Sequence, residues 1–245
     1  MKSILLLLGG ILLLAASSVA ADAAKPRSDV FPFVKGHYWL YDGQVKFAAE
    51  GKTTEKQITG WRSEVIDTAE ASTFKAALLK GHPHDLAWYS DETKRSDAIV
   101  ILTSSGEFHE VTDSENLPQT FQTLKSAGAL PKDLTGPSTI LFKFPPKVGD
   151  RFGDPEQVKL GARYCWAVTD VATAKSAPAI KGAASGKRLT IGLTFRTSPD
   201  HTNVLLAAGI GITSYTYVHH GTPGDCEMRL VECGESSAKP VNASK

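Results

Sequence analysis

The chain has 245 residues, 42% of them hydrophobic and 22% charged, and its 27 basic and 26 acidic side chains leave a net charge of +1. A chain so nearly neutral has no global positive field, so neither nucleic acid nor an anionic lipid surface is expected as a partner. Setting aside the terminal segments leaves roughly 200 residues, enough for one sizeable core and within the range of a single all-β domain.

At the N-terminus, Lys2, an unbroken apolar run from Ile4 to Ala16 and the small residues Ser17-Ser18-Val19-Ala20-Ala21 form the three parts of a secretory signal peptide. We assign residues 1–21 to it, with cleavage near Ala20 or Ala21, or further on after Ala24. The apolar run is short for a membrane span and no second one follows, so the mature chain is expected outside the cytoplasm without a transmembrane segment. Its cysteines, Cys165, Cys226 and Cys233, lie far from the cleavage point, and no lipid anchor is expected. Losing Lys2 makes basic and acidic residues equal in number. One β domain over 29–234 and a disordered polar tail over 235–245 complete the expected organisation.

Between these ends the pattern is of short β-type runs divided by turn residues. The expected strands are His37–Tyr41, Val45–Ala49, Lys56–Asp67, Thr73–Leu79, Leu86–Tyr89, Ala98–Thr103, Phe108–Val111, Thr139–Phe144, Arg163–Val171, Arg188–Arg196 and Val204–Ala207. Gly51-Lys52, Ser105-Gly106 and Ser198-Pro199-Asp200 mark turns. A single helix is expected at Pro118–Ala127, with Pro118 in the first turn, Leu117, Phe121 and Leu124 on one face, and Gly128 as the stop. The fold class that results is all-β, a single antiparallel meander curled into an open or incomplete barrel, with one short helix.

The final third carries the clearest signal. Ile212 to His220 alternates with period two, placing Thr213, Tyr215, Tyr217 and His219 on one face and Ile212, Ser214, Thr216 and Val218 on the other. Thr222-Pro223-Gly224-Asp225 offers a type II turn into a partner strand, Cys226–Cys233. Gly209-Ile210-Gly211 lacks the third glycine and following helix of a nucleotide fingerprint and reads as a bulge or bend. Gly182-x-x-x-Gly186-Lys187 lacks the Ser/Thr of a phosphate loop, and Ala172 to Lys187 reads as a flexible excursion. Phe31-Pro32-x-x-x-Gly36-x-x-Trp39 is echoed by Phe144-Pro145-x-x-x-Gly149-x-x-Phe152, and Gln44-Val45-Lys46-Phe47 by Gln157-Val158-Lys159-Leu160. Duplication of a β half and convergence on one way of entering a strand explain the echo equally well.

Cys226 and Cys233 are roughly 23 Å apart along one strand, so any disulfide must use Cys165. Cys165 with Cys233 is the expected pair, if a strand beginning near Arg163 meets the end of the last strand. Three buried thiols are the other reading.

Chemistry is sparse. His82-Pro83-His84-Asp85 has metal-ligand spacing, and His219 or His220 could add a ligand, which gives a metal-dependent hydrolase as one alternative; a third spaced ligand is missing. Glu64, Asp67, Glu107 and Glu110 form no pair that sequence can place across a cleft, and Asp200-His201 is a commonplace neighbour pair. The aromatics are better motivated. Tyr215 and Tyr217, with His219 at the end of their row, would line an apolar cavity if the sheet curls with that face inward. The plain alternative is core packing. No cofactor is implied.

Three motifs together, Phe31-Pro32…Gly36…Trp39-x-Tyr41, Phe144-Pro145…Val148-Gly149-Asp150 and Gly209-Ile210-Gly211-Ile212…Tyr215-x-Tyr217-x-His219-His220-Gly221-Thr222, resemble a group of uncharacterised secreted bacterial β-sheet proteins. The resemblance implies an exported or envelope location and a curved antiparallel sheet, and no activity. The leading expectation is a non-enzymatic exported protein that takes a hydrophobic small molecule or an envelope protein as partner through Tyr215, Tyr217 and His219. A structural module pairing through its sheet edge is the remaining alternative.

Overall fold

The computed structural model describes residues 30–112, 115–132, 134–159, 163–175 and 180–236. The proposed signal segment 1–21 and nearly all of the tail 235–245 lie outside the described residues. Twelve strands form one antiparallel sheet: β1 (His37–Ala49), β2 (Lys52–Ala71), β3 (Phe74–Lys80), β4 (Asp97–Thr103), β5 (Glu107–Val111), β6 (Ile140–Lys143), β7 (Arg151–Gly153), β8 (Cys165–Lys175), β9 (Lys187–Arg196), β10 (Asp200–Ala207), β11 (Gly211–His219) and β12 (Gly224–Glu235). The order across the sheet is β6-β5-β4-β3-β2-β1-β12-β11-β10-β9-β8-β7. Two six-stranded meanders are thus joined where the first strand meets the last, and the short strands β6 and β7 form the free edges. The sheet curls into a nearly closed barrel whose seam between those edges is unsealed.

Alternation decides what fills the barrel. On β1 the row Trp39, Tyr41, Val45 and Phe47 is buried, and so are its neighbours Cys226, Met228 and Leu230 on β12. Val65, Leu79, Val100, Phe108, Val168, Leu193, Val204, Tyr215 and Tyr217 belong to the same cluster. β3 and β4 are covered on their other face too. There Ala76, Leu78, Ile99 and Ile101 pack against Leu117, Phe121 and Leu124 of helix α1 (Leu117–Ala127). Burial on both sides explains why these two strands read as unbroken apolar runs. Helix α1 ends as expected at Gly128, in the left-handed region at φ 59°, whose N–H bonds to the Leu124 carbonyl.

Several boundaries move. The two runs His37–Tyr41 and Val45–Ala49 are one strand, kinked by a register shift between Tyr41 and Gly43. The expected strand Leu86–Tyr89 does not form: Pro83–Leu86 is a single 3-10 turn. The His82 ring nitrogen Nδ1 accepts the His84 N–H at 3.0 Å while Asp85 accepts the His82 N–H at 2.9 Å, a reciprocal cap that fixes the turn. The motif echo marks the entries to β1 and β7, with Gly36 at φ 81° and Gly149 at φ 94°. It ends there, because Gln157-Val158-Lys159 lies in a five-residue helical turn, Pro155–Lys159, and not in a strand.

The expected Cys165–Cys233 disulfide is corrected. All three cysteines are free and buried. β8 pairs with β7 and β9, not with β12, so Cys165 sits opposite Gly153 and Cys233 opposite Trp39. Strands β9, β10 and β11 separate the two thiols along the sheet. Burial pushes the Cys226 thiol up to about 12, which leaves it protonated and inert.

Candidate functional site

Curling the sheet brings its two ends together around one cavity of about 530 Å³. Glu110 and Val111 of β5 and Leu141 of β6 line it from one side of the seam, and Trp166 of β8, Phe195 of β9, Thr202 of β10 and Tyr215 and Tyr217 of β11 from the other. His84 and Trp88, in the segment between β3 and β4, cover it at one end. Tyr215 and Tyr217 therefore face the concave interior, whereas His219, at the end of their row, stands behind the lining residues Asp200 and Trp88. Tyr215 and Tyr217 are buried and His219 is partly buried.

That row begins later than alternation alone implies. Leu205 pairs with Ser214 and Leu206 with Ile212, so Thr213 is the extra residue of a β-bulge, its hydroxyl donating to the Leu205 carbonyl at 3.1 Å. The bulge reverses parity, so Ile212 is buried with the interior cluster and Thr213 leaves the tyrosine face.

Two polar clusters punctuate the apolar lining. In the first, the Tyr215 hydroxyl and His84 Nδ1 are 2.9 Å apart, and His82 Nε2 is 3.3 Å from Glu110 Oε2. Because the His84 N–H occupies His82 Nδ1, the ring carries its proton on Nε2 and points it at Glu110. Burial works against ionisation of Glu110, but the imidazoles of His82 and His84 outweigh it and hold the carboxyl below the usual Glu range. Burial lifts the Tyr215 phenol well above its ordinary value, reinforced by Cys226 and Glu110, so it stays protonated.

In the second cluster, Asp200 Oδ1 accepts the Tyr217 hydroxyl and His219 Nδ1–H, each at 2.6 Å, while Oδ2 accepts the Thr197 hydroxyl at 3.0 Å. Partial burial opposes the charge on Asp200, and these three donors prevail, so its carboxyl is held below the usual Asp range. Desolvation, and then Asp200, pushes the Tyr217 phenol up.

Trp88 stands at the mouth, 52% exposed and in the left-handed region at φ 57°. Its ring lies 4.3 Å from that of His219 and 6.0 Å from that of Tyr217. Against its other surface is Gly224, where a Cβ would come within 2.9 Å of the indole. Gly224 is accordingly not the corner of a type II turn. It is already in β12, opposite Phe47, and the turn falls earlier, around Gly221 at φ 136°. A glycine that looked like turn punctuation is there to let a tryptophan pass.

His82 and His84 do converge, on Glu110 and Tyr215. His219 joins Asp200 in the other cluster, whereas His220 lies outside against His201, their rings 4.7 Å apart. Adjacent residues on a strand face opposite ways, which likewise parts Asp200 from His201. Among the described residues no group of three or more His, Cys, Asp or Glu is placed to hold a metal ion. Phe195 escaped sequence reading as a site residue, and Glu110 could not be placed by it. For Glu110 a signal existed: it shares parity with Phe108, which points inward.

The two carboxylates make a pH prediction. Both are held below their ordinary values in the folded chain, so the stability they add is fully present above the ordinary carboxylate range and is lost as pH falls through their lowered folded-state values. Asp200→Asn should therefore be less stable than wild type at neutral pH, and thermal melts from pH 7 to pH 3 should show that difference shrinking as the medium acidifies. A constant difference would show that the Asp200 charge adds nothing.

Among the described residues, no helix is long and apolar enough to cross a membrane. No family model matches the chain, and no curated protein matches it. Two solved structures are similar over most of their length: a protein named as exported with a YMCC-like fold from Bacteroides fragilis, at 11% identity and a TM-score of 0.37, covering 84% of this chain and 99% of that one; and a protein named as a lipoprotein from Parabacteroides distasonis, at 10% identity and a TM-score of 0.36, covering 84% and 98%.

Proposed function

We propose that this is an exported, non-enzymatic binding protein of the cell envelope, which holds a small molecule with a large apolar body in the seam cavity against Tyr215 and Tyr217, with His219 at the end of their row. The observation that carries the reading is the cavity itself: its volume of about 530 Å³ lies within the usual range for small-molecule sites. Trp166, Phe195, Tyr215 and Tyr217 supply broad apolar faces, and the half-exposed Trp88 adds another. Export is supported by the Lys2, Ile4–Ala16 and Ser17–Ala21 pattern, and by the motifs that resemble secreted bacterial β-sheet proteins. The His82 and His84 ring nitrogens that face Tyr215 and the turn backbone are engaged in building the wall, which favours binding over the hydrolase alternative.

The test is titration with N-phenyl-1-naphthylamine, a neutral fluorophore that brightens in apolar surroundings. One saturable site is expected, weakened about tenfold or more by Trp88→Ala and by Phe195→Ala in variants whose melts remain cooperative. Absence of saturable uptake, or uptake indifferent to both substitutions, would overturn the reading.

A further inference from the structure

The polar content of the cavity is one-sided. Among the described residues two carboxylates, Glu110 and Asp200, line it, and no lysine or arginine does. Glu110 stands beside imidazoles and not beside a lysine or arginine. His82 faces it through Nε2, 3.3 Å from Oε2, with Nδ1 accepting the His84 N–H. Around Asp200 the partners are the Tyr217 and Thr197 hydroxyls and the His219 imidazole. Two carboxylates in one cavity, with no lysine or arginine among its described lining residues, leave a negative potential for whatever enters.

The aromatic lining fits the same sign. Trp88 and Tyr217 meet at the mouth, and Trp166 packs against Phe195 with ring centroids 5.3 Å apart on the wall. Aromatic faces attract cations through their quadrupoles, most strongly tryptophan and most strongly where water is excluded. An anionic amphiphile would instead meet Glu110 and Asp200, with no lysine or arginine among the described lining residues to offset the desolvation of its own charge. A neutral apolar ligand would gain from the aromatic faces and leave the potential unused. Trp88 sits in a backbone conformation that non-glycine residues rarely adopt, over a glycine that makes room for it, so its place at the mouth is maintained at some cost.

Building on the binding function proposed above, we infer that the ligand is an organic cation, an ammonium group on an aromatic or aliphatic body, with its charge directed to Glu110 and Asp200 and its body against Trp88, Trp166 and Phe195.

Three probes with one ring and different charge test this: benzyltrimethylammonium, benzyl alcohol and phenylacetate, each titrated calorimetrically at pH 7 and low salt into the full chain. The cation is expected to bind at least tenfold more tightly than the alcohol, and phenylacetate not measurably. Glu110→Gln should cut the ratio of cation to alcohol affinity about tenfold. Trp88→Leu, which keeps an apolar mouth but removes the quadrupole, should cut it severalfold and serves if Glu110→Gln fails to fold. The inference is overturned if the alcohol or phenylacetate matches the cation, if the ratio survives the substitution tested, or if none of the three binds while N-phenyl-1-naphthylamine is still captured. In each of those cases the cavity remains a binding site. Loss of the fluorophore as well would remove the binding function itself.

Discussion

Trp39→Ala is expected to cost about 3–5 kcal/mol of stability, seen as a lower denaturant midpoint with an unchanged slope. Trp39 is 2% exposed, and its ring centroid lies 4.7 Å from that of His37 and 5.2 Å from that of Phe31. Its indole N–H donates to the Ile210 carbonyl in the turn between β10 and β11. Gly211 in that turn has a positive φ of 101°, and a Cβ there would lie 3.2 Å from the indole nitrogen. One side chain thus ties the entry to β1, the N-terminal segment and the hairpin bearing the tyrosine face. Removing it opens a cavity and leaves a buried carbonyl unpaired. Trp39→Phe keeps most of the volume and loses only the donor, so about 1–3 kcal/mol is expected for it. If both substitutions cost less than about 1 kcal/mol, this anchor has been misread.

Gly43→Ala should be more damaging for one added methyl group, with a loss of about 3 kcal/mol or more, or no recoverable folded protein. Gly43 occupies the inward row of β1 between Tyr41 and Val45, opposite Met228 of β12. A Cβ built there would lie 1.9 Å from the Glu227 carbonyl oxygen and 2.8 Å from the Met228 sulfur. The thioether could move, but the carbonyl belongs to a paired strand, so the β1–β12 ladder would have to part. Gly51→Ala is the control. Its Cβ would meet nothing within 4 Å, and its penalty, set by φ 74° alone, should be about 1–2 kcal/mol. Denaturant curves of the two variants side by side separate backbone strain from collision. Equal losses would show that β1 and β12 are not held as tightly as described.

The repeating parts of this fold were legible because they are written with period two. Val45 and Phe47 alternate with polar residues, and Tyr215 and Tyr217 do the same, which was enough to specify an antiparallel sheet but left open whether its aromatic face turns inward. Helix α1 announced itself through Pro118, the Leu117-Phe121-Leu124 face and Gly128. Illegible parts depended on long-range register. Nothing local shows that β12 closes against β1, so the cysteine pairing was inferred for neighbours that the sheet never makes. Nor can sequence show that Glu110 and Asp200 line one cavity, since they belong to opposite halves of the chain. Bulges were also hidden: Thr213 and the shift beside Leu40 each change which residues face inward, at positions whose side chains give no warning. The reciprocal cap at His82 and Asp85 could have been read from sequence, and would have replaced a strand by a turn.

The pairing of β1 with β12 also has a bearing on how the chain reaches this state. Ten of the eleven strand ladders join consecutive strands and can form as hairpins soon after their residues exist. The eleventh joins residues as distant as His37 and Glu235, so its loop-closure entropy is the largest in the molecule. During synthesis from the N-terminus, β1 is complete long before β12 has been made. Its outer edge, carrying the Trp39–Phe47 row, waits unpaired as the growing end of a half-built sheet. That interval, and not the finished barrel, is when the protein most resembles an open template for a second chain.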